Sequence, residues 1–107
     1  MNKVKEIKKE SEFREINGKP VMLVFSATWC GPCRMMAPVY AKIAGKNENV
    51  EVVKVDVDLE DLKKLVADFG VRSVPSIFFI NKDGKIARSF IGGQSEDTLK
   101  SAILEIA

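Results

Sequence analysis

The sequence contains no histidine. That absence removes Ser-His-Asp and Cys-His catalysis, the HExxH zinc site and imidazole proton shuttling, so any acid or base must be Asp, Glu, Lys, Tyr or Cys. Cysteine is scarce too: two residues are half the ligand set of a structural zinc site, which a single chain with this composition cannot close. Nowhere do the ~20 apolar residues of a membrane-spanning helix run together. The charged stretch Met1 to Glu10 lacks the apolar core of about 7 to 15 residues that a secretory signal needs, so a cytoplasmic protein that meets no membrane is expected. No glycine-rich phosphate loop is present, and electrons from a nicotinamide would have to arrive through another protein. The 17 basic and 15 acidic residues are mixed along the chain and form no basic stripe, which argues against nucleic acid as a partner.

What is present suits one domain spanning residues 1–107, with 46% hydrophobic residues to build one core. Val4, Ile7, Phe13 and Ile16 are spaced for a helix, although Val4 and Ile7 also suit a short edge strand; a helix is placed over Ser11 to Ile16. After Gly18-Lys19-Pro20, the run Val21 to Phe25 reads as a strand buried on both faces. From Cys33, the residues Met36, Val39, Tyr40, Ile43 and Ala44 recur at helical spacing, with Gly45 suited to the position after the last turn. Pro38 should bend this helix rather than end it. Val50 to Val57 reads as a second buried strand, parallel to the first. Asp58 is placed as the cap of a helix over Leu59 to Phe69. Ser76 to Ile80 and Ile86 to Ile91 flank an Asp-Gly turn and should pair antiparallel. Ser95 opens a last helix whose buried stripe is Leu99, Ala102, Ile103 and Ile106. The order implies an α/β fold in which a mixed sheet has helices on both faces, and such a sheet would have strands that are apolar throughout.

Trp29-Cys30-Gly31-Pro32-Cys33 falls between the first buried strand and the Pro38 helix, which puts Cys30 at the helix N-terminus and Cys33 in its first turn. An ordinary thiol of pKa ~8.5 is only about 3% thiolate at pH 7, and reaching ~7 takes about 2 kcal/mol of preferential stabilisation of the anion. A helix end supplies ~0.3–2 kcal/mol, and backbone N–H donors and the second thiol can supply the rest. Pro32 suits the first helical position, where its missing N–H costs nothing. As a mere staple the pair would be poor, because so short a loop yields only ~2 kcal/mol. A half-site for a metal shared between chains is a further alternative, but spacing and helix position favour a redox dithiol with no bound cofactor or metal.

The segment Phe25-Ser26-Ala27-Thr28-Trp29-Cys30-Gly31-Pro32-Cys33 resembles the active-site segment of the thioredoxin family. The likeness extends over nearly the whole chain and includes Lys54, Val71-Arg72-Ser73-Val74-Pro75-Ser76 and Gly92, in the family's order and spacing. It implies a thioredoxin fold, a central mixed five-stranded sheet flanked by four helices, with the first residues as an edge strand. It further implies a protein-disulfide reductase acting through a redox-active Cys30–Cys33 disulfide. Cys30, taken as the more exposed sulfur, attacks a client disulfide, and Cys33 resolves the mixed disulfide. The neutral pair Gly31-Pro32 favours reduction over oxidation or isomerisation. Implied partners are disulfide-containing client proteins and a thioredoxin reductase that recycles a monomeric carrier. The resemblance also makes Val74-Pro75 a cis-proline site that pairs with the client backbone, although Pro75 alone would read as an ordinary strand opener. Trp29, Val74, Ile91 and Gly92 would form the apolar rim around Cys30, while Trp29 alone could equally be core packing.

One position departs from the family: Val24 stands where relatives usually carry a buried Asp thought to manage the proton of the resolving thiol. Lys54, a possible modulator of proton transfer, then lacks its partner and is expected to reach water or pair with Asp56 on the same strand face. The proton of Cys33 would leave through water, with slower resolution at neutral pH. Asp56, Asp58, Glu60 and Asp61 lack the calcium-loop pattern and read as a helix start. Met35 and Met36 read as packing residues, and Arg34 as a source of positive potential or a solvated side chain. Two other readings compete with the reductase: a binding adaptor using the Trp29 and Pro75 surface with incidental redox activity, and a disulfide isomerase, which would need an oxidising compartment.

Overall fold

The computed structural model describes residues 2–107. Its five strands, β1 (Val4–Ile7), β2 (Val21–Ser26), β3 (Glu51–Asp56), β4 (Ser76–Ile80) and β5 (Ile86–Ile91), form one sheet in the order β1-β3-β2-β4-β5. β3 runs parallel to both β1 and β2, and β4 runs antiparallel to β2 and β5. The helices are α1 (Glu10–Arg14), α2 (Gly31–Lys46), α3 (Lys63–Asp68) and α4 (Glu96–Ile106), with a short 3-10 turn at Glu60–Leu62.

Successive side chains of a strand point to opposite faces, and the central strand β2 is apolar at five successive positions, so both of its faces must be covered. Met22 and Val24 pack with Met36, Tyr40 and Ile43 of α2 and with Leu99, Ala102 and Ile103 of α4. Val21, Leu23 and Phe25 pack on the opposite face with Leu62 and Leu65, against which Phe13 of α1 and Phe69 also lie. Phe69 joins the two sides of that second core through ring contacts to Phe13, Phe25 and Phe78 at 5.0–6.0 Å. The covering is incomplete at β5, where Phe90 packs against the first core but Ile86 and Ile91 are exposed, so the strands are not apolar and buried throughout as expected. An edge strand with one neighbour has less of its surface to cover.

Several boundaries differ from the expectation for local reasons. The first helix begins at Glu10 and ends at Arg14, short of Ile16, and the backbone N–H of Lys8 donates to the Glu12 carboxylate (2.9 Å) at its start. The second buried strand covers Glu51–Asp56, one residue less at each end. Gly45 lies inside α2 rather than after it, because the Asn47 side-chain amide donates to the Ile43 carbonyl (2.8 Å) and closes the helix two residues later. The Leu59 to Phe69 segment is split, since Leu62 leaves the helical region (φ −110°, ψ 0°), and neither part has a side-chain cap. Asp58 does not cap it. Pro38 is accommodated within α2, which continues for two more turns. The β4–β5 hairpin turns through Gly84 at φ +85°, a backbone region that favours glycine, and the Asn81 side chain accepts from the N–H groups of Asp83 and Lys85 (both 3.0 Å).

Candidate active site

β2 ends at Ser26, and the chain then turns through Ala27 to Trp29 before entering α2 at Gly31. Cys30 is the N-cap of α2: its backbone is extended (φ −88°, ψ 110°) and its Sγ accepts the backbone N–H of Cys33 at 3.2 Å. Pro32 lies in the first turn, where helices have no use for an N–H. A chain leaving a buried strand and entering a helix over these few residues puts the Cys30 sulfur at the positive helix end with the Cys33 N–H on it, which favours negative charge there.

Cys30 and Cys33 are joined in a disulfide, with their Cα atoms 5.2 Å apart. Cys30 is the more exposed of the two, as expected, but the difference is small, 4% against 2%, and does not by itself distinguish them. Placement separates them instead. Cys30 lies within 3.8 Å of the Val74 carbonyl and holds the capping position, whereas Cys33 lines a cavity on the other side.

Trp29 is 66% exposed and so is not a core residue. Its indole Nε1 donates to the Asp58 carboxylate at 2.8 Å. This hydrogen bond explains why Asp58 does not cap the following helix, and with the partners 29 positions apart no local pattern marks it. The Val74–Pro75 peptide is cis, Pro75 is buried and Val74 half-buried. The Pro75 carbonyl accepts the N–H of Gly92 (2.8 Å), which brings the β5 end back to the cis-proline loop. Gly92 adopts φ +91°, a conformation that L side chains rarely take. Ile91, 75% exposed, stands beside it. The structure therefore assembles the Cys30–Cys33 pair, Trp29, Val74, Pro75, Ile91 and Gly92 at one end of the sheet.

Lys54 is the register partner of Val24 on one side and of Glu6 on the other. It is half-buried, and among the described residues it makes no ion pair, so of the two expected outcomes the pair with Asp56 is not formed; Asp56 Oδ1 accepts the N–H of Asp58 (2.9 Å). Both residues line a cavity of about 250 Å³ shared with Glu6, Ser26, Cys33 and Arg34. Val24 is fully buried in the core under α2. Arg34 is exposed, and its guanidinium donates to the Thr28 carbonyl at 3.0 Å. Met36 packs as expected, but Met35 is 80% exposed and does not. The contribution of Glu6 is not legible in the sequence: it comes from an edge strand whose register only the folded sheet sets.

A paired dithiol with one sulfur at a helix start and an exposed apolar rim is the site of a thiol-disulfide oxidoreductase. The thioredoxin family profile matches residues 3–105, and the chain belongs to the thioredoxin family. It is 36% identical over 107 residues to thioredoxin of Oryctolagus cuniculus, covering 96% of this chain and 98% of that one. It is 37% identical over 102 residues to thioredoxin of Borreliella burgdorferi, covering 94% and 85% respectively. Among solved structures, a thioredoxin from Nicotiana alata superposes with a TM-score of 0.85 at 31% identity, covering 98% of this chain and 93% of that one.

Proposed function

We propose that the protein works as a reductant of client-protein disulfides, with Cys30 as nucleophile and Cys33 as resolving thiol. The observation that carries this reading is the Cys33 N–H···Sγ Cys30 hydrogen bond at the start of α2, which lowers the cost of a thiolate at Cys30 and not at Cys33. The Cys30 thiolate attacks one sulfur of the client disulfide and expels the other as a thiolate. Cys33 then loses its proton and attacks Cys30, releasing the second client sulfur and forming the Cys30–Cys33 disulfide. Two electrons pass to the client, and a thioredoxin reductase returns them to the carrier. The Val74 carbonyl beside Cys30, with Trp29, Pro75, Ile91 and Gly92, receives an extended client segment by backbone pairing and apolar contact. A monomer in the reducing cytoplasm fits this role, because the carrier must be kept in its dithiol form between turnovers.

Insulin reduction driven by dithiothreitol tests the reading. Wild type should accelerate precipitation of the reduced chains and Cys30→Ser should not. A reduction potential near the glutathione poise or more negative supports the reductant; one as oxidising as roughly −120 mV would instead make the protein an oxidant.

A further inference from the structure

The resolving thiol must shed a proton before it can attack, and Val24, where the family resemblance implies a carboxylate for this purpose, is apolar and fully buried. The same sheet face carries another carboxylate two residues along the neighbouring strand. Val24 pairs in register with Lys54, and Ser26 pairs with Asp56, so the step from the first pair to the second moves toward the active-site end on the α2 side. Asp56 is half-buried, and its carboxylate is oriented by the N–H of Asp58 at 2.9 Å. It and Cys33 line one cavity of about 250 Å³, large enough for several waters and lined with hydroxyl and charged partners to hold them.

The geometry points to Asp56 as the acceptor of the Cys33 proton, reached through water in this cavity, in place of a carboxylate at position 24. The inference rests on the reductant reading above. In the step, the Cys33 S–H proton passes by way of water to the Asp56 carboxylate while the Cys33 sulfur forms its bond to Cys30. The bond between Cys30 and the client breaks, the client sulfur departs with the electron pair and is protonated by solvent, and Asp56 returns its proton to solvent. The charged groups facing the cavity are Glu6 from β1, Lys54 beside Asp56 on β3, and Arg34 from α2. Glu6 is exposed at its edge-strand position, and Arg34 is drawn to the Thr28 carbonyl. Asp56 is the half-buried carboxylate of the set, on the same strand face as Lys54.

A two-chain peptide disulfide with a different fluorophore on each half separates the steps, since one half leaves when Cys30 attacks and the other when Cys33 resolves. Asp56→Asn, which keeps an oxygen for the Asp58 N–H, should slow the second release roughly tenfold near pH 7 and leave the first unchanged. The deficit should vanish at alkaline pH, where Cys33 ionises unaided, and Val24→Asp placed in the Asp56→Asn protein should restore the second release. Glu6→Gln should have little effect. A second release from Asp56→Asn with the wild-type rate and pH profile overturns the inference, as does failure of Val24→Asp to restore it. Wild-type protein that released neither half would instead refute the reductant reading itself.

Discussion

The starts of α2 and α4 use the same geometry for opposite ends. At α4, Ser95 Oγ accepts the N–H of Thr98 at 3.1 Å; at α2, Cys30 Sγ accepts the N–H of Cys33 at 3.2 Å. The first turn of α4 carries Glu96 and Asp97, which satisfy the positive end of the helix, whereas the first turn of α2 carries no acidic residue. A capped and neutralised helix start stabilises the fold. A start capped by a thiol and left without acids holds its positive potential for a thiolate, and so converts the same backbone feature into reactivity.

The largest effect should come from making the two starts chemically alike. Cys30→Ser puts a Ser95-like hydroxyl at the α2 cap, retains an acceptor for the Cys33 N–H, and should abolish disulfide reduction while the thermal unfolding midpoint shifts little. Loss of the fold in this variant would mean that the sulfur is needed for structure beyond capping. Next in size, Gly31→Glu gives α2 the first-turn acid that α4 possesses. An added Cβ at Gly31 meets nothing within 4 Å, so the side chain has room. A carboxylate there opposes the thiolate by ~0.3–1 kcal/mol, which raises the Cys30 pKa and should reduce iodoacetamide alkylation at pH 7 about two- to fivefold. Because a raised thiol pKa withholds the thiolate at neutral pH and not above it, the difference should close at alkaline pH; an unchanged rate at pH 7 would break the electrostatic half of the comparison.

On the side of stability, Ser95→Ala should cost about 1 kcal/mol in urea unfolding, without changing Cys30 alkylation. Tyr40 of α2 sharpens the contrast from within the core shared by the two helices. Burial pushes its phenol up to about 12, and its hydroxyl has no hydrogen-bond partner among the described residues. Tyr40→Phe should therefore gain stability, by about 1 kcal/mol, with reactivity unaltered; a loss of that size would show that the hydroxyl is satisfied in solution. The smallest effect concerns Glu96, held below the usual carboxylate value first by its hydrogen bond from Lys42 and then by the charges of Lys42, Lys46 and Lys100. A depressed folded pKa contributes stability above the unfolded value that is lost as pH falls through the folded one. Glu96→Gln should flatten the dependence of the melting temperature on pH in that acidic range, and the effect should shrink with added salt because the side chain is at the surface.

The helix starts also show what is legible locally. Ser95-Glu96-Asp97 and Cys30-Gly31-Pro32-Cys33 announce their roles within a few residues, since capping is a contact between near neighbours. The buried strands Val21–Ser26 and Ser76–Ile80 are equally plain, because a strand covered on both faces must be apolar at nearly every position. Asp58 shows where local reading stops. Its neighbours Glu60 and Asp61 make it look like a helix cap, yet its carboxylate goes to Trp29, and an indole contributed by a distant loop leaves no trace beside it. Gly45 misleads for a related reason: a glycine suits a helix end, but the Asn47 amide makes a better one two residues later.

The order of residues along the chain was sufficient to set two thiols on the first turn of a helix that follows a buried strand, and with them the capacity for disulfide exchange. That much depends on interactions between residues a few positions apart. Whether Trp29 faces solvent, how Val74 comes against Cys30 and Gly92 against Pro75, and that Glu6, Lys54 and Asp56 share a cavity with Cys33 were decided only by the packing of the sheet. Those arrangements follow from strand register and loop convergence, which are long-range free-energy minima of the whole chain and have no signature in any short stretch of it.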